Sequence, residues 1–232
     1  MSESNLLTQK YSVVVTTIGE DSLHEVLESI AKQSIPPSEI IVVDDSKSQN
    51  IELSDFRIMR TGGFKGPSFA RNLGIQNSQN SWVALADSDD IWDFDKISIQ
   101  FAEIIKEKLD FSLTSAVVNS KQRPKKLLEV NSNPFELLYS KPHMLRSSSY
   151  FATGTFMFNR DKVKVLFDEQ IRERENIKFL YEAFISGSKI RQSAAIGIQV
   201  AYDSKKSISR MVPDLEYSWW EYLSKINLEY AR

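Results

Sequence analysis

Cysteine is absent from this sequence of 232 residues. The chain therefore cannot form disulfide bonds, and it cannot bind a metal ion through thiolate ligands. Disulfides are rare in reducing compartments, so a sequence without cysteine fits a cytoplasmic protein. We expect that location, and we expect any metal site to use other ligands.

Long hydrophobic runs are also missing. A helix that spans a bilayer needs ~20 predominantly apolar residues, and no segment of the sequence approaches that length. Residues 1–10 are polar and lack the apolar core of a signal peptide. We therefore expect neither a membrane span nor a secretory leader.

An excess of basic charge is absent too. The 29 Lys and Arg residues are balanced by 31 Asp and Glu residues, which leaves a net charge of −2. Nucleic-acid-binding proteins usually carry a basic excess, so we expect no nucleic-acid partner. Hydrophobic residues make up 41% of the chain, as in an ordinary globular domain.

Strand and helix patterns alternate in the first half of the chain. Short β-branched or apolar runs predict strands, and apolar residues at a spacing of 3.6 predict helices. The predicted strands are 11–15, 39–43, 56–59 and 82–86, and the predicted helices are 23–30, 67–76 and 97–105. This order is typical of an α/β fold with a mostly parallel sheet flanked by helices.

The second half is less regular. Its patterns predict strands at 111–118, 151–158 and 194–202, and helices at 134–140 and 175–186. Residues 213–232 follow the pattern of an amphipathic helix that is rich in aromatic residues. The sequence thus predicts one domain, residues 1–212, followed by a C-terminal helical tail at 213–232.

Carboxylates follow two of the predicted strands. Asp44 and Asp45 end the second strand, and Asp87, Asp89 and Asp90 end the fourth. In open α/β sheets, ligands bind beyond the carboxyl ends of the strands. Because residues two apart in an extended segment point to the same side, the side chains of Asp87 and Asp89 should converge.

Converging carboxylates repel one another unless a cation offsets their charge. Oxygen ligands favour a hard cation such as Mn²⁺ or Mg²⁺, which completes its shell with phosphate oxygens and water. Aspartate is also common in solvated turns and at helix starts, so the residues alone leave both interpretations open. An EF-hand loop is excluded, because its glycine and glutamate do not follow.

Four segments resemble, in order and spacing, the nucleotide-binding half of family 2 glycosyltransferases, which have the Rossmann-like GT-A fold. They are YSVVVTT, IIVVDDS, GPSFARNLGI and LADSDDIW, all within residues 11–95, and the last is a variant of the family's Asp-x-Asp element. The resemblance implies a transferase that moves a sugar, with inversion, from a nucleotide-diphosphate sugar to an acceptor hydroxyl. Residues 10–110 would bind the nucleotide sugar, and residues 111–212 would face the acceptor.

The resemblance also implies residue roles. Thr16 and Thr17 would line the base and ribose pocket, and Asp44 or Asp45 would accept a hydrogen bond from the base, as uracil requires. The remaining nucleotide-sugar ligands would be Arg71, Asp87 and Ser88, and the metal ligands would be Asp89, Asp87 and Asp90. For Arg71 the alternative is a surface salt bridge.

Residues 167–190 resemble the acceptor-side helix of the family and its lead-in. The family usually has Glu-Asp there, with the aspartate as general base, but this chain has Glu175 and Asn176. An amide cannot take up a proton, so we expect Glu175 or Glu173 to act as the base in place of Asn176. The alternative is that both glutamates are exposed at a helix start, where the helix dipole favours them.

Residues 202–209 resemble a C-terminal segment of the family that often carries a histidine near the metal. This chain has Ser204 or Lys205 at that place. The missing histidine and Asn176 motivate a rival hypothesis, a degenerate member that binds nucleotide sugar without turning it over. A nucleotidyltransferase is a weaker rival, because residues 16–20 lack the basic nucleotide loop.

The acceptor implied by the resemblance is a glycan, a glycolipid or another hydroxyl compound. A lipid acceptor would place the protein peripherally at the inner face of a membrane. The acidic balance of residues 213–232 argues against binding to an anionic surface. We expect this tail to dock on its own domain or on a second copy, which would give a homo-oligomer.

Overall fold

The computed structural model describes residues 8–118, 120–124, 126–139, 151–171 and 174–200. Three sets of predicted features lie outside the described residues. They are Glu173, the segment 202–209, and the tail 213–232.

Nine strands form one sheet within the described residues. They are β1 (Tyr11–Thr17), β2 (Glu39–Asp44), β3 (Arg57–Arg60), β4 (Trp82–Asp87), β5 (Asp90–Trp92), β6 (Phe111–Val118), β7 (Lys121–Arg123), β8 (Phe156–Asn159) and β9 (Ile190–Val200). The helices are α1 (Leu23–Ala31), α2 (Pro67–Asn77), α3 (Lys96–Glu107), α4 (Pro134–Tyr139) and α5 (Glu175–Ile185). A 3₁₀ turn at Thr153–Thr155 precedes β8.

The strand order is β3-β2-β1-β4-β8-β6-β9-β5, and β7 pairs with β6. Strands β1 to β4 run parallel to one another, as the first half of the sequence predicts. Beyond β4 the sheet is mixed, because β8 runs antiparallel to β4 and β6, and β5 runs antiparallel to β9. The α/β class is confirmed, and the expectation of a mostly parallel sheet holds for its first half.

Both faces of the sheet are buried. Along β1, Val13 and Val15 pack into a core with α1 and α3, while Val14 packs into a second core with α2 and α5. The continuous apolar run of β1 follows from this arrangement, because successive side chains enter opposite cores. None of the helices in the described ranges is long and apolar enough to cross a bilayer.

A cluster of phenylalanine rings fixes α5 against β6 and β8. The Phe179 ring of α5 lies parallel to the Phe167 ring at 4.2 Å between centroids. It also contacts Phe158 and Phe111, at 5.2 and 6.0 Å. Aromatic side chains bury large areas and pack in defined orientations. The cluster therefore sets where the first residue of α5, Glu175, meets the rest of the domain.

Candidate functional site

The carboxyl ends of β1, β2 and β4 lie side by side. In the sheet register, Thr16 is opposite Asp87 of β4, and Thr17 is opposite Asp44 of β2. Four of the predicted site residues are therefore neighbours at one sheet edge. This is the edge at which open α/β sheets bind ligands.

Arg71 of α2 connects this edge to α5. Its Nη2 donates to Oδ1 of Asp87 at 2.8 Å, and its Nη1 donates to Oε1 of Glu175 at 2.7 Å. Only 7% of the Arg71 side chain is exposed, so the alternative of a surface salt bridge is wrong. Burial alone would lower the pKa of Arg71, but the charges of Asp87 and Glu175 raise it above its ordinary value.

Close packing of α2 against β1 places Arg71 at this position. A Cβ atom added to Gly74 would come within 2.3 Å of Cγ1 of Val14, so only glycine permits this approach. Asn72 fixes the other side of α2. Its Nδ2 donates to the carbonyl of Phe167, and its Oδ1 accepts from the Phe167 backbone N–H, each at 2.8 Å.

Glu175 and Asn176 are both engaged inside the protein. Glu175 is the first residue of α5, and its side chain is 11% exposed in the ion pair with Arg71. The alternative of an exposed glutamate is therefore wrong for Glu175. Asn176 donates from Nδ2 to the carbonyl of Phe151 at 2.5 Å. The role of Glu175 as a general base stays a prediction.

Asp44 braces the loop that follows β2. Its Oδ1 accepts from the backbone N–H of Ser46 at 2.8 Å, and its Oδ2 accepts from that of Ile51 at 3.4 Å. The side chain of Gln49 also donates to Oδ1, at 3.4 Å. These donors occupy most of the about four acceptor sites of a carboxylate, and Asp44 is fully buried in this structure. Base recognition by Asp44 stays a prediction.

Asp45 braces the glycine-containing loop between β3 and α2. Its Oδ1 accepts from the backbone N–H of Lys65, and its Oδ2 accepts from that of Gly66, each at 2.8 Å. The hydroxyl of Thr61 also donates to Oδ1. Asp45 is therefore buried and fixes the conformation of this loop. Its contact with the base stays a prediction.

The hydroxyl of Thr17 shapes the loop that follows β1. It donates to Oε2 of Glu20 at 2.6 Å and accepts from the backbone N–H of Gly19 at 2.9 Å. Thr17 is buried, whereas Thr16 is half-buried at the same edge. Thr17 thus maintains the conformation of the loop, Thr16 is the more accessible of the two, and their contact with base and ribose stays a prediction.

The polar residues of the turn from β4 to β5 differ in their exposure to solvent. Ser88 is buried, and its carbonyl accepts from the hydroxyl of Ser22 at 2.8 Å, which ties the turn to the start of α1. Asp90 is also buried, whereas Asp89 between them is exposed. Of these three residues, Asp89 presents its side chain to solvent.

Negative charge accumulates at this turn. Partial removal of water, followed by the charges of Asp87 and Glu20, raises the pKa of Asp89 to about 6, although its side chain reaches solvent. Burial raises the pKa of Asp90 well above its usual range, and the charges of Asp87 and Asp89 add to this effect. The local charge would be relieved by a bound cation.

A buried lysine lies beside this cluster. Lys96, the first residue of α3, donates from Nζ to Oε1 of Gln100 at 2.9 Å, and Nζ lies 3.9 Å from the centroid of the Trp92 ring. Burial lowers its pKa to about 7, against the opposing effect of Asp90. Gln100 in turn donates to the carbonyls of Ser112 and Thr155.

The donors fit a hard cation held by few protein ligands. In the part of the chain that the structure describes, no group of three or more His, Asp or Glu side chains is arranged to hold a metal ion. Asp90 is buried and packs against Gly154, where an added Cβ would come within 2.3 Å of Oδ2, and its role as a metal ligand stays a prediction. Asp87 and Asp89 are the candidate oxygen ligands, and a diphosphate and water would have to supply the others.

Sequence reasoning missed several residues that maintain this site. Asn72 and Gln100 are polar residues inside predicted helices, Lys96 directly precedes one, and all three are buried. A polar residue at a core position is the available signal, because burial requires that it find partners. The sequence does not show which partners, since most are distant along the chain.

Comparisons with known proteins identify a matching family and several relatives. The family model for glycosyl transferase family 2 matches residues 12–167. Two Escherichia coli relatives are named UDP-Glc:alpha-D-GlcNAc-diphosphoundecaprenol beta-1,3-glucosyltransferases. WfgD is 32% identical over 99 residues, covering 40% of this chain and 39% of that protein. WfaP is 29% identical over 152 residues, covering 62% and 58%. This chain therefore spans less than two thirds of either relative.

Solved structures show the same fold. A crystal structure of Staphylococcus aureus TarS in complex with UDP-GlcNAc has a TM-score of 0.73 and 21% identity, covering 96% of this chain and 69% of that chain. The predicted GT-A fold is thus confirmed for the described residues. Because the family model matches more than half of the sequence, the chain belongs to glycosyl transferase family 2.

Proposed function

We propose that this protein transfers a sugar from a UDP-sugar to an acceptor hydroxyl, with the help of a divalent cation and with inversion. The observation that carries the proposal is the chain of contacts from Asp87 through Arg71 to Glu175. These contacts bring a carboxylate of the nucleotide half next to the acceptor-side helix α5. Donor and acceptor can therefore meet at one place.

UDP is the nucleotide that appears in the names of related proteins. The names of WfgD and WfaP specify UDP-Glc, and the TarS structure holds UDP-GlcNAc. In this chain, Asp44 or Asp45 would accept the uracil N–H, Thr16 would contact the base or ribose, and Asp87 would contact the ribose. Carboxylates bind sugar hydroxyls and ring N–H groups as acceptors.

Asp89 and Asp87 would hold Mn²⁺ or Mg²⁺. A bound cation would neutralise the diphosphate as it leaves. Burial and then the charges of Asp87 and Glu20 raise the pKa of Asp89, and those charges, unlike burial, also favour a bound cation. The positive charge of Arg71 is already balanced by Asp87 and Glu175, so it would support these carboxylates more than the phosphates.

In the proposed reaction, the acceptor oxygen forms a bond to the anomeric carbon while the bond from that carbon to the diphosphate oxygen breaks. A single displacement of this kind inverts the anomeric carbon. The acceptor proton would pass to Glu175, whose Oε2 is not used in the ion pair with Arg71. General-base help of this kind typically contributes 10²–10⁴-fold.

The acceptor that we propose is a glycan or a glycolipid. The two Escherichia coli relatives are named for a sugar on diphosphoundecaprenol, and a third relative, TarS, is named for poly(ribitol-phosphate). With a lipid-linked acceptor, the protein would act at the inner face of a membrane.

A second candidate function is nucleotide-sugar binding without turnover. The hydrogen bond from Asn176 to Phe151 favours it, because it places an amide where the family usually has its base. Glu175 is also bound by Arg71. If neither residue accepts the proton, the chain would bind UDP-sugar and act through a partner.

The two functions can be separated with the purified full-length protein and a panel of UDP-sugars. We expect Mn²⁺-dependent thermal stabilisation by UDP and slow UDP release from at least one UDP-sugar. The control variant Asp55→Asn alters an exposed carboxylate in the loop before β3 and should behave as the wild type. Binding without release, with acceptors from both classes present, would support the binding function. Absence of UDP binding would contradict both.

A further inference from the structure

Phe64 occupies a backbone conformation that bulky residues rarely adopt. It lies between Gly63 and Lys65 in the loop from β3 to α2, with φ of 47°. Left-handed backbone is unfavourable for side chains with a Cβ atom, and glycine is the usual residue there. The residue is nevertheless 59% exposed, so packing in the core does not explain this backbone conformation.

The loop that carries Phe64 is held in place. The backbone N–H of Phe64 donates to the carbonyl of Asp45 at 2.9 Å, and the next two backbone N–H groups donate to the Asp45 carboxylate. Gly63 lies close to Ser46, because an added Cβ would come within 3.4 Å of its carbonyl oxygen. The backbone from which the exposed ring projects is therefore held in place.

Phe64 also lies at the ligand-binding edge of the sheet. The backbone N–H of Asp45, whose carbonyl binds Phe64, donates to the carbonyl of Thr17 at 2.8 Å. The loop thus adjoins the ends of β1 and β2. Ile18, directly after β1, is a second large apolar residue exposed here, at 37%. Exposed apolar groups at a ligand edge are typical of surfaces that a ligand covers.

We propose that Phe64 is a stacking platform for the base of the nucleotide. This inference rests on the proposed function and adds to it a residue that provides affinity. A planar aromatic ring stacks on the face of any base, while hydrogen bonds to the base edge select its identity. The unfavourable backbone of Phe64 is retained because it directs the ring towards the base.

The test compares UDP with inorganic pyrophosphate, which has no base. Binding of both, in the presence of Mn²⁺, is measured for the full-length wild type, Phe64→Asn and Phe64→Trp. Asparagine tolerates left-handed backbone but has no aromatic ring. The matched control is Phe94→Asn, because Phe94 is 60% exposed in the turn before α3.

We expect Phe64→Asn to weaken UDP binding ~10-fold while pyrophosphate binding stays unchanged. Its melting temperature should equal or exceed that of the wild type, because the strained backbone is relieved. Phe64→Trp should keep the UDP affinity, with indole fluorescence that UDP quenches and pyrophosphate does not. Phe94→Asn should bind both ligands as the wild type does.

Equal UDP affinity in the wild type and Phe64→Asn would overturn the stacking role. So would an equal loss of UDP and pyrophosphate binding, which would indicate a distorted loop. An effect of Phe64→Asn confined to oligomeric state or to binding of lipid vesicles would also overturn it and assign Phe64 to a different surface. If the wild type binds no UDP, the proposed function itself fails.

Discussion

Arg71 and Glu175 form a buried ion pair of 2.7 Å between residues that are 104 positions apart in the sequence. The pair joins α2, which packs on the parallel half of the sheet, to α5, which packs on the mixed half. The other arm of the Arg71 guanidinium holds Asp87 at the end of β4. One side chain therefore links the carboxyl end of β4 to the first residue of α5.

Replacement of Arg71 by methionine should destabilise the fold strongly. Arg71→Met leaves the carboxylates of Asp87 and Glu175 largely buried without their cation, which typically costs about 3–5 kcal/mol. Urea denaturation measures the loss. The control is Lys32→Met, because the Lys32 and Glu28 side chains are 70% and 63% exposed in their ion pair, which should contribute little to stability. Similar losses in both variants would show that the buried pair contributes little.

The sequence predicted the parts of the site that depend on neighbouring residues. The apolar runs before Asp44 and Asp87 predict strands whose ends meet, and the register confirms it. The buried partners of Arg71 could not be predicted, because an ion pair across 104 residues leaves no local pattern. The antiparallel strand pairing could not be predicted either, because β8 lies between two strands that precede it in the chain.

Glu39 should make the fold sensitive to acid. Its carboxylate accepts from the hydroxyl of Ser12, the backbone N–H of Gln79 and the guanidinium of Arg57, at 2.6, 2.8 and 2.9 Å. Burial raises its pKa, but these partners together outweigh burial and lower it. The folded-state pKa thus lies below the unfolded value of about 4.3. Stabilisation is complete above that value and is lost as the pH falls through the folded-state pKa.

Stability measured against pH tests this assignment. In Glu39→Gln, the free energy of unfolding should be lower than in the wild type at pH 7 and should converge with it in acid. Glu28→Gln is the control, because its side chain is 63% exposed in a pair with Lys32. A constant difference between the wild type and Glu39→Gln at every pH would contradict the role of the Glu39 charge.

Asp89→Ala should abolish metal-dependent binding without affecting the fold. Asp89 is exposed, so removing its side chain costs little packing energy. It is also the carboxylate of its turn that reaches solvent, where a cation would bind. In the wild type, UDP with Mn²⁺ at 100 times Kd should stabilise the fold by about 2.7 kcal/mol. Thermal unfolding with and without chelator measures this effect. A wild type that chelator does not affect would eliminate the metal role.

Glu175→Gln should reduce turnover by at least ~100-fold if Glu175 accepts the acceptor proton. Glutamine keeps the side-chain volume and can still accept a hydrogen bond from Arg71, but it cannot act as the base. UDP affinity should change little. Glu182→Gln, at a half-buried position about two helical turns further along α5, controls for the loss of a charge on this helix. Normal turnover in Glu175→Gln would place the base elsewhere.

Asn176→Asp decides between an enzyme and a binding protein. The Asn176 amide donates to the carbonyl of Phe151, and a carboxylate there would face that oxygen without a proton. We therefore expect a loss of about 1–3 kcal/mol in stability. Turnover should be unchanged or higher, because the new carboxylate adds a second base next to Glu175. Asn176→Ala, which removes the amide without adding a charge, should lose stability without any gain in turnover. Turnover that appears only in Asn176→Asp, while the wild type binds UDP-sugar without releasing UDP, would identify the natural protein as a binding module.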